Sequence, residues 1–135
     1  MAGTMQFDLV SPERRLASVE ATEVQIPGAD GDMTAMADHA PTITTLRPGI
    51  LTVVSASGSQ RYLVTGGFAE INPGATSVLA ENALAVEDVT QEAFDGFVAA
   101  AVAARDAAAD DAIDAMGKML ADMQAAGQEL GLTAR

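Results

Sequence analysis

The chain lacks cysteine and tryptophan, has a single histidine (His39), and contains only 4% aromatic residues. Without cysteine, neither a disulfide, a catalytic thiolate nor a zinc–thiolate site can form. With so few aromatic side chains, the core has to be built largely from Val, Ile, Leu, Ala and Met. The length of 135 residues predicts one domain, or one domain with a small appendage.

Basic residues are also scarce, with 7 Lys and Arg against 19 Asp and Glu, which gives a formal net charge of −12. Binding to nucleic acid, or directly to an anionic membrane surface, requires clustered cations and is not expected. No apolar run approaches the roughly 18 residues of a membrane-spanning helix. The N-terminus has neither the basic start nor the apolar run of a secretory signal. We therefore expect no direct membrane insertion, and docking on a basic or neutral protein partner.

Closely spaced turn signals dominate the chain before Val86. They are Ser11-Pro12, Pro27-Gly28, Asp30-Gly31, Pro48-Gly49, Ser57-Gly58-Ser59, Gly66-Gly67 and Asn72-Pro73-Gly74. Between them lie short β-type runs at 5–9, 22–26, 50–55, 60–65, 68–71 and 76–80. Many short strands with regular turns predict an antiparallel β-sandwich over residues 1–86.

Residues 87–135 lack proline and are rich in alanine, and apolar residues recur there at helical spacing. The first stripe is Phe94, Phe97, Val98, Ala101 and Val102; the second is Ile113, Met116, Leu120, Met123 and Leu130. A break at 105–111, with Asp110 and Asp111 capping the second helix, predicts a two-helix antiparallel hairpin. The fold class is thus mainly β plus α, a sandwich followed by a helical hairpin.

The segment from Gly28 to Gly49 is expected to be a long, turn-rich connection, and such connections are often functional. It contains His39, beside Asp38 and before Ala40-Pro41, but no nucleophile-and-base pair. A metal or catalytic role needs partners that the sequence does not supply. A structural or interface role is favoured for His39, and no enzyme class, cofactor or metal is predicted.

An ordered set of motifs along nearly the whole chain resembles the epsilon subunit of the F-type ATP synthase. The motifs are Phe7-Asp-Leu-Val-Ser-Pro-Glu13, Val24-Gln-Ile-Pro-Gly28, Gly31-Asp32, His39-Ala-Pro41, Leu46-Arg-Pro-Gly49, Gly66-Gly-Phe-Ala-Glu-Ile71 and Val78-Leu-Ala-Glu81. This family likewise has a β-sandwich followed by two antiparallel helices. Each motif alone is weak, and their order makes the resemblance specific.

The resemblance implies a non-catalytic rotor subunit of the central stalk, peripheral on the cytoplasmic face of the cell (inner) membrane. Such a subunit binds the gamma subunit and the ring of c subunits, and couples ion flow to ATP synthesis. It implies contact with the c ring through Asp30, Gly31, Asp32 and Met33, and contact with the gamma subunit through His39, Ala40 and Pro41. The hairpin would be the part that reaches the catalytic beta subunits.

The hairpin departs from the family pattern in two ways. Where many bacterial members carry an ATP-binding motif with Asp and Arg, this chain has Thr90 and Ala93. From Glu87 onward there are also ten acidic residues against three basic ones, a net charge of −7. An acidic second helix would be repelled by the acidic segments that inhibitory members approach. Weak intrinsic inhibition of ATP hydrolysis is therefore expected.

Two other functions stay open from the sequence. One is an ATP-sensing switch that inhibits hydrolysis through the hairpin, which calorimetry with ATP would reveal. The other is a small enzyme that uses His39 with Asp38, which a His39→Ala substitution would inactivate. The rotor hypothesis predicts only a change of subunit affinity for that substitution.

Overall fold

Alternating apolar and polar residues build the N-terminal part of the chain into a nine-stranded sheet. The computed structural model describes residues 3–132, and the chain divides into two units, Met1–Ala85 and Val86–Arg135. The strands are β1 (Met5–Ser11), β2 (Arg14–Gly28), β3 (Gly31–Met36), β4 (Thr42–Thr45), β5 (Gly49–Ser55), β6 (Gly58–Val64), β7 (Gly67–Asn72), β8 (Ala75–Ala80) and β9 (Ala83–Ala85). The helices are α1 (Gln91–Ala107) and α2 (Ile113–Glu129), preceded by a 3₁₀ turn at Val86–Asp88. The expected β-sandwich followed by two helices is confirmed.

The 15-residue strand β2 belongs to both layers of the sandwich. Its first half pairs with β1 in the layer β4-β7-β8-β1-β2, and its second half pairs with β3 on one side and β5 on the other. A register shift between Ala21 and Glu23 marks the change of layer, where Thr22 Oγ1 donates to Val54 O at 3.1 Å. The extra residue explains why Ala21 and Val24 can both face the core, three positions apart, despite the two-residue period of a strand.

Aliphatic side chains and one phenylalanine from both layers fill the sandwich core. The largest fully buried ones are Met5, Phe7, Leu9, Val24, Ile26, Leu51, Val64, Ile71 and Val78. The buried Thr76 hydroxyl donates to Met5 Sδ at 3.2 Å, so this polar group is satisfied inside the core. Closely packed branched side chains thus fill the core, although the chain has few aromatic residues.

One pairing differs from the all-antiparallel expectation, because β1 runs parallel to β8. Their register places Phe7 beside Thr76 and Leu9 beside Val78, which brings the first strand next to a strand almost 70 residues later in the chain. Parallel neighbours require a long connection, and here the strands from β2 to β7 provide it.

The expectation of a long loop from Gly28 to Gly49 is wrong. Residues 28 to 31 form a tight turn, β3 returns along β2, and β4 pairs with β7, so only residues 37–41 and 46–48 link strands. The short alternations Met33/Ala35 and Thr42/Thr44 are too brief to be distinguished from turn sequence. Their strand conformation is decided by the partner strands, β2 and β7.

The helical unit uses small residues for close packing. Phe94 and Val98 on α1, and Leu120, Met123 and Ala126 on α2, are buried. A Cβ built on Gly127 would overlap the Phe94 ring, so glycine at this position lets the ring lie against the α2 backbone. The core of the helical unit contains fewer large side chains than the sandwich core.

Both helices have well-defined ends. The Thr90 hydroxyl accepts from Ala93 N at 3.0 Å and caps α1. α2 ends in a Schellman motif, with Gly131 at φ 77°, Leu132 N donating to Gly127 O and Gly131 N donating to Gln128 O.

The start of α2 differs from the sequence expectation in three respects. α1 continues to Ala107, so the break lies at residues 108–112 rather than 105–111. Asp110 and Asp111 do not cap α2, because they occupy the middle of a turn closed by Ala112 N and Ala109 O, and Ala112 is the N-cap. Ile113 is 41% exposed instead of extending the buried stripe, since the helix begins at that residue.

Candidate partner-binding surfaces

The β2–β3 hairpin carries the four residues expected to contact the c ring. Asp30 lies in the tight turn, and Gly31, Asp32 and Met33 open β3. Gly31 has φ 139°, a conformation that L side chains rarely adopt, and a Cβ on Gly28 would lie 2.6 Å from the Gly31 carbonyl oxygen. The two glycines therefore allow a sharp, narrow tip with exposed carboxylates.

Arg47 holds this hairpin from the side. Its Nη1 donates to the Gly28 carbonyl oxygen at 2.7 Å, and its Nη2 pairs with Asp32 Oδ1. Its backbone N–H donates to Pro27 O at 3.0 Å. The segment after β4 is thus attached to the base of the hairpin by backbone and side chain together.

The segment expected to contact the gamma subunit connects β3 to β4. Asp38 adopts φ 68°, which suits the third position of a tight turn closed by His39 N and Met36 O at 3.2 Å. Asp38 N donates to Pro73 O at 3.0 Å and fixes the segment to the β7–β8 turn. Ala40 and Pro41 are exposed at its end.

The His39 ring turns back onto its own backbone, with Nδ1 lying 2.6 Å from Ala40 O. A carbonyl oxygen can only accept, so Nδ1 carries the proton in this contact. Ala40 O also accepts from Thr42 Oγ1 at 3.0 Å. The arrangement orders the connection and gives His39 no nucleophile or metal partner among the described residues, in which no group of three or more His, Cys, Asp or Glu could hold a metal ion.

Four apolar side chains lie on the outer side of the layer β4-β7-β8-β1, among polar ones such as Glu70, which is paired with Ile43. Phe68 is paired with Leu79, and Leu79 with Val10, so these three side chains form a row across β7, β8 and β1. Phe68 and Leu79 are 42% and 43% exposed, and Ile43 on the edge strand β4 is 72% exposed. We call Val10, Ile43, Phe68 and Leu79 the outer apolar face. Exposed apolar patches on a small domain commonly mark interaction sites.

A groove of about 370 Å³ lies in this face, lined by Val10, Pro12, Phe68 and Leu79 and bordered by Glu81. Gly67, at φ 113°, lies in its wall close to the β8 backbone, where a Cβ would overlap the Leu79 carbonyl oxygen. The groove could receive an apolar side chain, and its carboxylate rim could receive a cation.

The two predicted contact sets lie at opposite ends of β3 and are not brought together. β3 spans about 17 Å from Gly31 to Met36 at 3.3 Å per residue, and its last three residues, 34–36, separate Met33 from the segment that contains His39. Pro41 leads into β4, so the second set continues into the outer apolar face through Ile43.

Sequence reasoning missed Arg47 and all four members of the outer apolar face as site residues. Phe68 is out of phase with the buried Ala69 and Ile71, and Leu79 with the buried Val78 and Ala80. This phase was a signal that could have identified the exposed row. Nothing local in the sequence indicated that Arg47 would reach Asp32.

The residues that replace the family's ATP-binding motif lie at the start of α1. Thr90 is the N-cap, with its hydroxyl used by Ala93 N, and Ala93 offers no cation. In the described part of this unit Arg105 pairs with Asp106 and Lys118 with Asp122, and most of the other carboxylates are exposed to solvent.

Comparison with known sequences gives a family match over most of the sandwich. The model described as "ATP synthase, Delta/Epsilon chain, beta-sandwich domain" matches residues 4–86. The ATP synthase epsilon chain of Fuscovulum blasticum is 61% identical over 125 residues, covering 93% of this chain and 95% of that protein. The ATP synthase epsilon chain of Rhodobacter capsulatus is 56% identical over 132 residues, covering 98% and 100%.

A solved structure shares the fold over nearly the whole chain. It is a chain of the Euglena gracilis mitochondrial ATP synthase, in a cryo-EM structure of OSCP, F1 and c-ring, with a TM-score of 0.72 and 21% identity. The match covers 96% of this chain and 83% of that one. At this identity the likeness concerns the fold.

Proposed function

The chain belongs to the epsilon-subunit family of the F-type ATP synthase, and we propose that it is a non-catalytic central-stalk subunit that links the gamma subunit to the c ring. In this role it couples ion translocation to ATP synthesis by turning with both partners. The observation that carries the proposal is that the exposed residues of the two predicted contact sets, Asp30 to Asp32 and Ala40 with Pro41, lie toward opposite ends of β3, whereas Met33 packs partly against the core. A connector between two partners needs two separate surfaces on one rigid body.

The gamma-facing surface consists of His39, Ala40 and Pro41 together with the outer apolar face. Pro41 and Ile43 are exposed at the edge strand, next to the row that begins at Phe68. Burying such side chains against a partner gains roughly 25 cal/mol for each Å² of apolar surface. The gamma-facing surface therefore forms the more stable contact, compared with the ring-facing surface.

The ring-facing surface is the hairpin tip with Asp30, Gly31, Asp32 and Met33. It is small, polar and acidic, and it suits the polar loops of a ring. Charged rim contacts of this kind fix register and partner choice more than they add affinity. The tip thereby supplies the specific contact.

In this proposal the protein is attached to the membrane through the c ring. Among residues 3–132, no helix is both long and apolar enough to cross a bilayer. The proposed location is peripheral, on the cytoplasmic face of the cell (inner) membrane, held through the c ring and gamma subunit.

In this proposal the helical hairpin, residues 87–135, is the part that reaches the catalytic beta subunits, and it inhibits ATP hydrolysis only weakly. Its net charge of −7 from Glu87 onward opposes approach to acidic surfaces. The alternative of an ATP-sensing switch is not favoured, because Thr90 and Ala93 replace the acid and the cation of the motif. Deletion of residues 87–135 is expected to leave ATP hydrolysis by the assembled enzyme nearly unchanged; a strong rise would contradict weak inhibition.

The gamma-facing surface is tested by Ile43→Asp in the full chain, with Ile113→Asp as the matched control. Both residues are exposed isoleucines, but only Ile43 lies on the outer apolar face. We expect Ile43→Asp to weaken binding to purified gamma subunit by about tenfold or more, and Ile113→Asp to leave it unchanged. The measurement is calorimetric titration, with circular dichroism to show that both variants fold. Equal binding by both variants would place the gamma contact elsewhere.

A further inference from the structure

Arg47 contacts both strands of the β2–β3 hairpin, although it lies 15 residues beyond Asp32 in the sequence. Its backbone N–H donates to Pro27 O, Nη1 donates to Gly28 O at 2.7 Å, and Nη2 pairs with Asp32 Oδ1. Gly28 and Asp32 belong to the two strands of the hairpin, β2 and β3. One guanidinium group therefore holds both strands beside the tip.

The exposure of the two partners indicates a geometric role. The Arg47 side chain is 27% exposed, whereas that of Asp32 is 80% exposed. A single ion pair at such a surface adds little to global stability. The planar guanidinium, in contrast, presents two donors in a fixed fork and so sets the relative position of its two acceptors. An ammonium group on a flexible stem cannot do so.

The same contact divides the roles of the two carboxylates in the tip. Asp32 is paired with Arg47, while Asp30 has no ion pair or side-chain hydrogen bond with any residue of 3–132. The hairpin tip thus presents one compensated and one uncompensated carboxylate. The charge available to a partner is that of Asp30.

We propose that Arg47 is the positioning residue of the hairpin tip, and that by pairing with Asp32 it leaves Asp30 as the group that meets a cationic side chain of the ring. This inference rests on the proposed function of the tip as the ring-facing surface. It assigns distinct tasks to residues that the sequence grouped together, and it adds a residue from outside the hairpin.

The positioning role is tested by hydrogen exchange on the full-length chain. Arg47→Ala should speed exchange of the β3 amides by about tenfold, because the hairpin loses its lateral attachment. Arg47→Lys should restore little of the protection, and Arg61→Ala, which removes an exposed arginine of β6, should leave it unchanged. In Asp32→Asn, adding Arg47→Ala should speed exchange by less than it does in the parent chain. Unchanged exchange in Arg47→Ala, or full rescue by lysine, would overturn the positioning role.

The division between the carboxylates is tested with purified c ring in detergent, in the presence of gamma subunit. Asp30→Asn should weaken binding several-fold at low salt and reduce its salt dependence, and Asp32→Asn should do so less. An equal or larger effect of Asp32→Asn would overturn the assignment to Asp30.

Combining the two measurements separates this inference from the proposed function. If Arg47→Ala speeds exchange but no hairpin variant changes ring binding, the positioning role stands and the ring-facing function fails. If Arg47→Ala weakens ring binding without changing exchange, the tip is a ring contact and Arg47 is not its positioning residue.

Discussion

The helical unit is richer in apolar residues than the sandwich, but many of its apolar residues are alanines. The sandwich core is filled by large side chains such as Phe7, Leu9 and Ile71 from strands far apart in sequence. The helical unit relies on Phe94 against Gly127, with alanine over much of the remaining surface. Large buried side chains contribute more free energy than single methyl groups, so the sandwich is expected to be the rigid part. The proposed contact surfaces lie on that part.

The largest expected difference comes from removing the main aromatic side chain of each unit. Phe7→Ala should lower the free energy of unfolding of the sandwich by about 3–5 kcal/mol, since it leaves a cavity among side chains of both layers. Phe94→Ala should open the helices while leaving the sandwich protected. Denaturant titration with hydrogen exchange of each unit measures both effects. Loss of sandwich protection in Phe94→Ala would show that the units do not differ in this way.

Close backbone packing in the sandwich can be tested at Gly67, with Gly58 as its control. Both have positive φ, 113° and 119°, so alanine costs roughly 1–3 kcal/mol of strain at each. At Gly67 the new Cβ also overlaps the Leu79 carbonyl oxygen, whereas at Gly58 no described atom lies within 4 Å. Gly67→Ala should therefore destabilise by about 1–3 kcal/mol more than Gly58→Ala in thermal unfolding. Equal melting temperatures would contradict the close approach of β7 and β8.

In the helical unit, the corresponding pair is Gly127 and Gly117 on α2. Gly127→Ala should cost about 1–3 kcal/mol because its Cβ meets the Phe94 ring. Gly117→Ala should instead stabilise the helix by up to about 1 kcal/mol, since no described atom lies near and alanine favours helix. Helix amide exchange gives the sign of each change. Stabilisation by both would mean that the ring does not lie on Gly127.

The smallest effect is expected at the cap of α1. Thr90→Ala should cost about 1 kcal/mol because Ala93 N loses its acceptor, and Thr90→Asp should retain the cap. The readout is the protection of the first-turn amides relative to β-sheet amides. Protection that is unchanged in Thr90→Ala would show that the 3₁₀ turn before α1 stabilises this end.

Long periodic patterns were the part of the fold that the sequence predicted well. Seventeen-residue helices repeat their apolar stripe several times, and β1 alternates apolar and polar residues from Met5 to Leu9. The short strands β3, β4 and β9 carry too few alternations and form because a neighbouring strand supplies the hydrogen bonds. The start of α2 was mispredicted for a related reason: Asp110 and Asp111 suit a cap, yet a backbone hydrogen bond between Ala112 and Ala109 places them in the turn.

The candidate site likewise has one part that could be predicted from the sequence and one part that could not. The tip Asp30–Met33 and the segment from His39 to Pro41 could be selected from the sequence, because they contain the motifs Gly31-Asp32 and His39-Ala-Pro41 of the family resemblance. The outer apolar face could not, since the register of β7 and β8 brings Phe68 opposite Leu79, and Ile43 lies on a third strand, opposite Glu70. Their roles as contacts stay predictions.

Local chemistry, by itself, determined the sandwich-then-helices order, the absence of thiol chemistry, the acidic charge and the family. These depend on composition, on periodicity over many residues and on ordered motifs, all of which can be read along one chain. Tertiary structure alone decided that the segment after Gly28 is a hairpin, that β1 lies parallel to β8, and that Arg47 reaches Asp32. Each depends on pairing between segments distant in sequence, where the free energy comes from hydrogen bonds and packing that no local pattern encodes.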